Sequence, residues 1–249
     1  MGDVAMHVPS PSTEADLESL STVGLGSITV GQGMFQPGKD KSIGLNWPET
    51  PTDTKEWVLI TGGSTATGSL AIQFAKLAGY RVLTTCSPRN TEFVKCRGAD
   101  EVFDYNDPEC GVKIRAFTEN KLRYAWDTVA HWEVCDAALS TDSSICHYGT
   151  ILSNQFPRRD EGVKYSFTLM YTMFGEEFYK YGKTFPVDEE DHIFAKRWME
   201  LTEKLVREGK LVPHPKKVGK GGLEGILNGI EDLRLEKVRG EKLVYPIAD

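Results

Sequence analysis

Residues 57–69 read WVLITGGSTATGS, an apolar, β-prone run that leads into a glycine-rich turn. The next residues place Leu70, Phe74 and Leu77 on one helical stripe, with alanines beside it. A strand, a tight glycine turn and a helix in this order predict the first βα unit of a nucleotide-binding sheet. Glycines let the backbone approach a pyrophosphate, and the first turn of the helix offers free N–H groups to it. The glycines are not spaced as G-x-G-x-x-G, so a tight turn without a ligand is the alternative.

Four more β-prone runs follow the first, and the centres of successive runs lie 20 to 25 residues apart. Helix-like segments occupy the intervals, and Gly79 and Gly98 stand where a helix is expected to end. Repeated βα units predict an α/β fold, a Rossmann-type doubly wound parallel sheet with helices on both faces. The five predicted strands are residues 57–60, 81–85, 102–105, 124–127 and 149–152.

The N-terminal segment is less regular than the βα region. Residues 4–8 predict a short strand, and Ser12 offers an N-cap for a short helix. Residues 24–35 predict a glycine-rich helix that packs closely on its neighbours. Residues 36–54 predict a loop, because prolines interrupt every periodic pattern there.

The C-terminal part begins with an aromatic-rich segment, residues 156–185, whose glycines and prolines exclude one regular element. Its aromatic side chains either line a pocket or pack against the edge of the sheet. Helices are predicted over residues 191–208 and 223–235, and a final strand over 242–247. The aromatic residues of the segment are Tyr165, Phe167, Tyr171, Phe174, Phe178, Tyr179, Tyr181 and Phe185.

Composition limits the class of protein. The chain has 249 residues, a formal charge of −7 and 40% hydrophobic residues, which is typical of a globular domain and argues against nucleic-acid binding. It contains no apolar run of the roughly 18 residues that a membrane span requires. Its first 20 residues carry acids and prolines instead of an apolar signal sequence. Five cysteines without a CxxC pair predict free thiols, a cytoplasmic protein and no metal site.

The end of the second predicted strand favours NADPH over NADH. Residues 84–90 read TTCSPRN and contain no acid that would hold a ribose 2′-hydroxyl. Ser87 can donate a hydrogen bond to a 2′-phosphate, and Arg89 can neutralise its charge. For Arg89 alone, a solvated arginine at the start of a helix is an equally good interpretation.

No catalytic constellation stands out in the sequence. His131, His147, His192 and His214 are scattered along the chain, and a structural role is expected for each. The YxxxK spacing at residues 179–183 lies outside a predicted helix, so it does not indicate a short-chain reductase. An enzyme that transfers hydride needs no such constellation, because its cofactor carries the chemistry.

Several motifs together resemble the medium-chain dehydrogenase/reductase superfamily, and more narrowly the zinc-independent, trans-acting enoyl reductases of fungal polyketide biosynthesis. The resemblance implies NADPH as cofactor, hydride transfer to an α,β-unsaturated thioester on an acyl carrier protein, and a polyketide synthase as partner. It covers nearly the whole chain. The motifs are GLGSITVGQGM (24–34), GGSTATG (62–68), AIQFAK (71–76), TCSPRN (85–90), RGADEVFDY (97–105) and LVREGKLVPHP (205–215).

The resemblance also implies roles for individual residues. It does not identify a catalytic residue, and Thr29 is only a candidate that would sit near the nicotinamide. No metal takes part in the family's reaction. The implied cofactor-binding residues are Gly62, Gly63, Ser64, Thr65, Ala66 and Thr67 for the pyrophosphate, Ser87, Arg89 and Tyr105 for the 2′-phosphate, and Leu152 and Phe174 beside the nicotinamide.

The chain also departs from the family pattern. Members begin with a GroES-like catalytic domain, of which residues 1–55 would be a remnant and a linker. Residues 56–210 would form the Rossmann-type NADPH-binding domain, with an aromatic loop at 156–190. Residues 211–249 would form a helix and a strand that return to the missing domain. A homodimer with paired terminal strands, a partner protein or a rearranged 156–185 segment would then cover the apolar surface left open.

Two other functions stay open at this point. A repurposed, non-redox enzyme could hold a reactive polyene folded in an aromatic pocket, as a cyclase or a Diels–Alderase-like catalyst would. A non-catalytic accessory subunit could bind NADPH or a synthase. The presence of Ser87 and Arg89 favours the reductase, and the missing domain favours the alternatives.

Overall fold

A six-stranded parallel sheet forms the centre of the protein. The computed structural model describes residues 4–6, 14–38, 40–154 and 156–247. The strand order is β3-β2-β1-β4-β5-β6, and every neighbouring pair runs parallel. This order confirms the Rossmann-type doubly wound α/β fold. The strands are β1 (Trp57–Thr61), β2 (Arg81–Cys86), β3 (Glu101–Asp104), β4 (Tyr124–Asp127), β5 (His147–Thr150) and β6 (Lys164–Phe167).

Helices pack on both faces of this sheet, around two separate apolar clusters. The predicted helix over residues 24–35 is confirmed as α2 followed by one π-helical turn, Gly31–Phe35. Gly79 and Gly98 follow helices with φ of +89° and +107°, as expected for C-terminal glycines. The helices are α1 (Glu14–Leu20), α2 (Gly24–Val30), α3 (Ala66–Leu77), α4 (Thr91–Cys96), α5 (Cys110–Phe117), α6 (Trp132–Ala138), α7 (Glu189–Arg207) and α8 (Gly222–Arg234).

Trp198 of α7 lies at the centre of the larger apolar cluster, which also contains side chains of α2 and α3. Its indole is fully buried, and the ring centroids of Phe35 and Phe74 lie 5.0 and 4.7 Å from it. Gly31 allows this packing, because a Cβ atom there would lie 2.6 Å from the indole ring. Trp198 therefore packs α7 against the π-helical turn after α2 and against α3.

A buried carboxylate ties the segment after α2 to the start of α7. Asp191 has no exposed surface, and it accepts hydrogen bonds from the amides of Gln32 at 3.1 Å and Gln36 at 2.7 Å. Lys41 forms an ion pair with it, and the Thr172 hydroxyl donates to it as well. The four donors satisfy the buried charge and connect three segments that lie far apart in sequence.

Two predicted strands differ from the structure. The strand predicted at 149–152 is wrong in position, since β5 begins at His147 and ends at Thr150. His147 and Tyr148 pair with Tyr124 and Ala125, so polar residues rather than the following apolar ones enter the sheet. For the strand predicted at 4–8, residues 4–6 are not in a strand, and residues 7 and 8 lie outside the described residues. Ser12 lies outside them as well, and α1 is described from Glu14.

The aromatic-rich segment contains strands that the sequence did not predict. Its residues 164–167 form β6, which pairs with β5 as the edge strand of the large sheet. Further on, β7 (Phe178–Lys180) and β8 (Lys183–Phe185) form an antiparallel hairpin. Phe178 and Phe185 stack on each other there at a centroid distance of 4.8 Å, and Tyr179 and Tyr181 are 74% and 68% exposed. The alternative in which these aromatics pack at the sheet edge is therefore closer to the structure than a common pocket.

The C-terminal region forms a small unit of its own. Its strands are β9 (Lys216–Val218) and β10 (Lys242–Val244), which pair in parallel with α8 between them in sequence. The predicted final strand is thus confirmed, although it ends at Val244 and not at residue 247. Tyr245 packs over Gly225 and Gly229 of α8, where added Cβ atoms would lie 3.2 and 2.1 Å from its side chain. The opposite face of α8 is apolar and exposed.

Among the described residues, no helix combines the length and the apolar character required to cross a bilayer.

Candidate functional site

A cleft of about 400 Å³ opens at the carboxyl ends of the central strands. Its walls are the segments that follow β1, β2, β3 and β4, together with residues 238–241 near the C-terminus. β1 lies between β2 and β4, at the point where the strand order reverses. Ligands of open α/β sheets bind in the crevice at this point.

Glycines shape the turn that follows β1. Gly62 has φ of +69°, and a Cβ atom there would lie 2.6 Å from Val129 and 2.7 Å from the Thr128 hydroxyl. A Cβ atom on Gly63 would lie 2.1 Å from the Thr84 hydroxyl. A side chain at position 62 would displace the loop after β4, and one at position 63 would displace Thr84 of β2, so the backbone passes here only with glycine at both positions.

The first turn of α3 leaves backbone donors available at the cleft. Thr65 caps the helix, because its hydroxyl accepts a hydrogen bond from the N–H of Gly68 at 2.9 Å. The N–H groups of Ala66 and Thr67 precede the first intrahelical partner that an α-helix can offer. Together with the positive end of the helix dipole, these groups could hold an anion such as a pyrophosphate.

Ser87, Arg89 and Tyr105 line the side of the cleft above β2 and β3. Cys86 pairs with Asp104 in the sheet, which makes the residues that follow them neighbours. The hydroxyl groups of Ser87 and Tyr105 lie 3.2 Å apart. Two hydroxyl donors beside an exposed guanidinium match the donors that a 2′-phosphate requires.

Asp127, the last residue of β4, organises the loop on the opposite wall. This buried carboxylate accepts hydrogen bonds from the hydroxyls of Thr61 at 2.6 Å and Tyr148 at 2.8 Å. It also accepts the backbone N–H of His131 at 3.1 Å. The ring of His131 lies against Tyr105 with centroids 5.4 Å apart, and its Nδ1 atom is buried without a hydrogen-bond partner.

Two further titratable groups line the cleft in their neutral forms. A hydrogen bond of 2.8 Å joins His214 Nδ1 to the Ser69 hydroxyl, and burial lowers the pKa of His214 to about 4. Burial also raises the pKa of the Cys86 thiol to about 11. His214 is 3% exposed and connects α3 to the C-terminal unit, which agrees with the structural role expected for it.

The structure brings most of the predicted cofactor residues to one place. Seven of them line the cleft, and Gly63 and Thr67 belong to the same turn. The seven are Gly62, Ser64, Thr65, Ala66, Ser87, Arg89 and Tyr105.

The residues expected beside the nicotinamide lie outside the cleft walls. Thr29 is nearly buried in α2, and that helix packs on the first turn of α3, where a Cβ on Gly26 would lie 3.6 Å from the Ala66 carbonyl oxygen. Leu152 follows β5 and is 47% exposed. Phe174 lines a separate apolar cavity of about 320 Å³ beside the start of α2. None of the three residues lines the cleft, and they lie on three different segments.

Sequence reasoning missed the loop after β4 and the C-terminal segment of the cleft. Val129 and His131 line it, as do Arg239 and Glu241. The loop after β4 could have been predicted, because the carboxyl ends of strands next to β1 meet at the same crevice. No local signal marks residues 238–241, which reach the cleft only through the packing of the C-terminal unit.

The donor set of the cleft fits a dinucleotide that carries a 2′-phosphate. It offers helix N–H groups, two hydroxyls and a guanidinium, and it contains no acid at the end of β2. Within the part of the chain that the structure describes, no three His, Cys, Asp or Glu side chains are placed to share a metal ion.

A family model and individual relatives both match the chain, and they indicate related oxidoreductases. Residues 66–171 match the family described as "Zinc-binding dehydrogenase". The dual trans-enoyl reductase/FAD-dependent monooxygenase tazHJ of Aspergillus terreus is 45% identical over 87% of the chain, which spans 30% of that protein. The trans-enoyl reductase resD of Aspergillus sclerotiorum is 35% identical over 98% of the chain, which spans 71% of that protein.

Solved structures share the fold at low sequence identity. A putative zinc-dependent alcohol dehydrogenase protein from Rhizobium etli superposes with a TM-score of 0.70 at 20% identity, covering 92% of the chain and 63% of that structure. The two structures therefore share their fold. The chain spans about two thirds of the length of the solved structure.

Proposed function

Because the chain belongs to the fungal trans-enoyl reductases, within the medium-chain dehydrogenase/reductase superfamily, we propose that it is an NADPH-dependent reductase of polyketide intermediates. Its substrate is an α,β-unsaturated thioester, carried by an acyl carrier protein or free as a small molecule. A polyketide synthase is the partner that presents the thioester. The relatives of this family are named trans-enoyl reductases, which is the basis for the reaction and for the partner.

The cleft at the end of β1 is the observation that carries the proposal. It places a glycine turn, a helix N-terminus and the Ser87–Arg89–Tyr105 group within one crevice. A pyrophosphate would bind the N–H groups of Ala66 and Thr67, and a 2′-phosphate would bind the two hydroxyls and the guanidinium. This arrangement supports NADPH over NADH, since no carboxylate stands at the end of β2 to hold a ribose 2′-hydroxyl.

The residues of the chain bind and orient the reactants. When bound, NADPH would supply the hydride for the β-carbon of the thioester, and a proton from solvent or from the protein would complete the reduction at the α-carbon. α2 packs on the first turn of α3, next to the glycine turn, and Thr29 is the residue of that helix proposed to lie near the nicotinamide. Leu152 and Phe174 would exclude water on the remaining sides. Phe174 and α2 share the apolar cavity, which supports an apolar environment there.

The division of the chain into regions is part of the same proposal. Residues 56–210 contain the sheet and form the cofactor domain. Residues 1–55 belong with a GroES-like domain, and residues 211–249 return toward it. The described N-terminal residues support this division in one respect: α1 contacts β9 of the C-terminal unit, where Lys216 pairs with Glu18 at 2.5 Å.

We further propose that α8 pairs with α8 of a second copy of the chain. Leu223 and Leu227 project from the exposed face of α8, at 67% and 69% exposure. Beside them lies a cavity of about 320 Å³ lined by Gly229, Leu233 and neighbouring apolar residues. In a two-fold dimer the same surface patch of both copies meets, so the patch has to be complementary to itself. The leucine side chains and the neighbouring cavity offer a ridge and a groove for this purpose. In antiparallel pairing, Glu224 at the start of one helix would also meet Arg234 at the end of the other, beside the ion pair that Arg234 forms with Glu231 at 2.7 Å.

The cyclase alternative loses the feature on which it depended. Phe178 and Phe185 stack in a hairpin, Tyr179 and Tyr181 face solvent, and Tyr165 and Phe174 line two different cavities. An accessory role without catalysis remains distinguishable by experiment. It predicts NADPH binding without product.

The proposal is tested by incubating the chain with NADPH and crotonyl-N-acetylcysteamine, a simple α,β-unsaturated thioester. Loss of nicotinamide absorbance and mass spectrometry of the thioester would be followed together. We expect the saturated thioester to form with NADPH and about tenfold more slowly with NADH. The Ser87→Ala, Arg89→Glu double variant should lose the preference for NADPH. Binding of NADPH without any saturated product would contradict the reductase proposal and favour the accessory role.

A further inference from the structure

We propose that Lys180 and Lys183, which face each other across the β7–β8 hairpin, bind the phosphate of the phosphopantetheine arm that carries the thioester substrate. The inference rests on the proposed function, since it assigns recognition of that substrate to particular residues. The two lysines belong to the YxxxK spacing at residues 179–183, and they line neither the cofactor cleft nor the large sheet.

The hairpin fixes the two lysines opposite each other. Lys180 and Lys183 are partners in the antiparallel register, so their side chains leave the same face of the hairpin. The two turn residues between them have φ of +52° and +76°, as the tightest hairpin turns require. Phe178 and Phe185 form the next pair on that face, and their rings stack at a centroid distance of 4.8 Å. This aromatic stack supports the lysine pair from the base of the hairpin.

The two lysines lack acid partners that would offset their charges. Like charges directly opposite each other in a sheet are destabilising. Among the residues that the structure describes, neither lysine forms an ion pair, and Glu176 and Glu177 just before the hairpin form none with them. A bound phosphate would replace this repulsion by attraction, because each ammonium group would donate a charge-assisted hydrogen bond to it.

Aromatic rings orient both ammonium groups. Nζ of Lys180 lies 4.5 Å from the ring centroid of Tyr171 and 5.0 Å from that of Tyr181. Nζ of Lys183 lies 4.7 Å from the ring centroid of Phe185. Such cation–π contacts hold the side chains without neutralising their charge. The charge therefore remains available to an anion that arrives from solvent, since Lys183 is exposed.

A short segment, Met170–Phe174, connects the hairpin to the apolar cavity beside α2. Tyr171 of this segment packs on Phe178, with ring centroids 5.6 Å apart, and its ring also contacts the Lys180 ammonium. The first and last residues of the segment line the cavity. An arm whose phosphate binds the lysines would thus lie beside the region where the thioester is proposed to meet the nicotinamide.

The test compares two substrates that differ only in the phosphate. The full chain reduces crotonyl-4′-phosphopantetheine or crotonyl-pantetheine at saturating NADPH, and kcat and KM are measured for each. We expect the wild type to favour the phosphorylated thioester about tenfold in kcat/KM, through a lower KM. The preference should shrink as salt is added, because exposed charges are screened.

Three double variants assign the preference to the lysine pair. Lys180→Gln with Lys183→Gln should abolish it, and Lys180→Arg with Lys183→Arg should retain it, because arginine keeps the charge. The matched control is Lys55→Gln with Lys121→Gln, which removes the same net charge from exposed positions before β1 and β4 and should keep the wild-type preference. A ratio measured within one protein does not depend on the fraction of folded enzyme.

Coenzyme A and a carrier protein both contain this arm, so both sources are assayed. The substrates are crotonyl-CoA and a crotonyl-loaded acyl carrier domain of a fungal polyketide synthase. We expect the glutamine variant to lose kcat/KM with both by a similar factor. A loss confined to the carrier domain would overturn the phosphate assignment, since the lysines would then recognise the carrier protein and not the arm.

The outcomes distinguish this inference from the proposed function. Equal kcat/KM of the wild type for the two pantetheine thioesters would overturn the role of the lysine pair and leave the reductase intact. A glutamine variant that keeps the wild-type preference would overturn it as well. If the wild type reduces neither these thioesters nor crotonyl-N-acetylcysteamine, the proposed function itself is wrong and the inference falls with it.

Discussion

The hydroxyl groups of Ser87 and Tyr105 lie 3.2 Å apart, although 18 positions separate the two residues in the sequence. Each follows the last residue of a strand, and those last residues, Cys86 and Asp104, pair in the sheet. The parallel register therefore creates the polar side of the cleft, and Arg89 adds its charge to it. Because the sheet register fixes the positions of these residues, the site is rigid. Substitutions at these residues should therefore change the preference for a cofactor more than the free energy of unfolding.

The first prediction concerns that choice of cofactor. The Ser87→Ala, Arg89→Glu double variant should bind NADPH about 10- to 100-fold more weakly, because it loses a hydroxyl donor and reverses one charge. Its affinity for NADH should change little. Fluorescence titration with both nucleotides measures the two affinities. Lys95→Glu, an equal charge reversal on the exposed side of α4, is the control and should leave the NADPH/NADH ratio as it is in the wild type.

The second prediction concerns the glycine turn. Gly62→Ala should lower both the free energy of unfolding and the affinity for NADPH, because the new Cβ would lie 2.6 Å from Val129. Gly44→Ala is the matched control, since Gly44 has a similar φ of +71° and open space around it. The control substitution should lower the free energy of unfolding by about 1 kcal/mol, because alanine is strained in this backbone conformation. Denaturant unfolding that shows equal losses for the two variants would mean that the loop after β4 does not constrain the turn.

The third prediction concerns the buried carboxylate of α7. Asp191→Ala should destabilise the protein by about 3–5 kcal/mol, because Lys41 would lose its buried partner and two amides would lose their acceptor. The control is Asp232→Ala, which removes an exposed ion pair with Lys237 and should cost at most about 1 kcal/mol. Chemical denaturation of both variants measures the difference. Similar losses would show that Asp191 does not hold the three segments together.

The fourth prediction concerns acid stability. The pKa of His214 is about 4 in the folded protein and 6.5 as its ordinary value, because burial disfavours the charged ring. The unfolded chain thus binds a proton more readily, so the free energy of unfolding falls as the pH drops from about 6.5 toward 4. Burial also lowers the pKa of His147, to about 4.

This loss can be assigned to one residue by substitution. Between pH 7 and pH 5, His214→Asn should lose on the order of 2 kcal/mol less stability than the wild type, because the variant has no ring to protonate. The amide can still contact the Ser69 hydroxyl, which limits other effects of the change. Parallel unfolding curves at the two pH values would be compared. An unchanged pH dependence in the variant would contradict the buried, neutral state of His214.

The fifth prediction concerns the exposed face of α8. Glu224→Arg should weaken self-association, because it would place like charges opposite Arg234 of the second copy. Adding Arg234→Glu in the same chain should restore association by exchanging the two charges. Analytical ultracentrifugation over a concentration series measures the oligomeric state. A wild type that stays monomeric at all concentrations, or a double variant that is no better than the single one, would contradict the pairing of α8.

The central part of the fold could be predicted from the sequence because its signals are local. The run at 57–69 contains a strand, a turn and the start of a helix in adjacent positions, and the strand and the helix each have a recognisable hydrophobic pattern. β6 could not be predicted in the same way. It has only four residues, with Lys164 exposed at the edge of the sheet, and its place depends on pairing with β5. The difference between the predicted and observed bounds of β5 has a related cause. The apolar residues Ile151 and Leu152 were included in the predicted strand, although β5 ends at Thr150.

The cleft shows the same division between local and long-range information. The glycine turn after β1 and the Ser87–Arg89 segment are each continuous in sequence, so motif and composition could mark them as candidates, and both line the cleft. His131 reaches the cleft through Asp127, whose partners come from β1 and β5. Arg239 arrives from the other end of the chain. Such residues are brought together only by the packed fold, and a single sequence gives no periodic signal for them.

The most direct test of the account is the affinity of the purified chain for NADPH, measured by fluorescence titration. The cleft at the end of β1 predicts saturable binding with a Kd in the micromolar range, about −8 kcal/mol in free energy, and clearly weaker binding of NADH. Absence of binding at millimolar NADPH would contradict the cofactor site, and with it the reductase that the site supports.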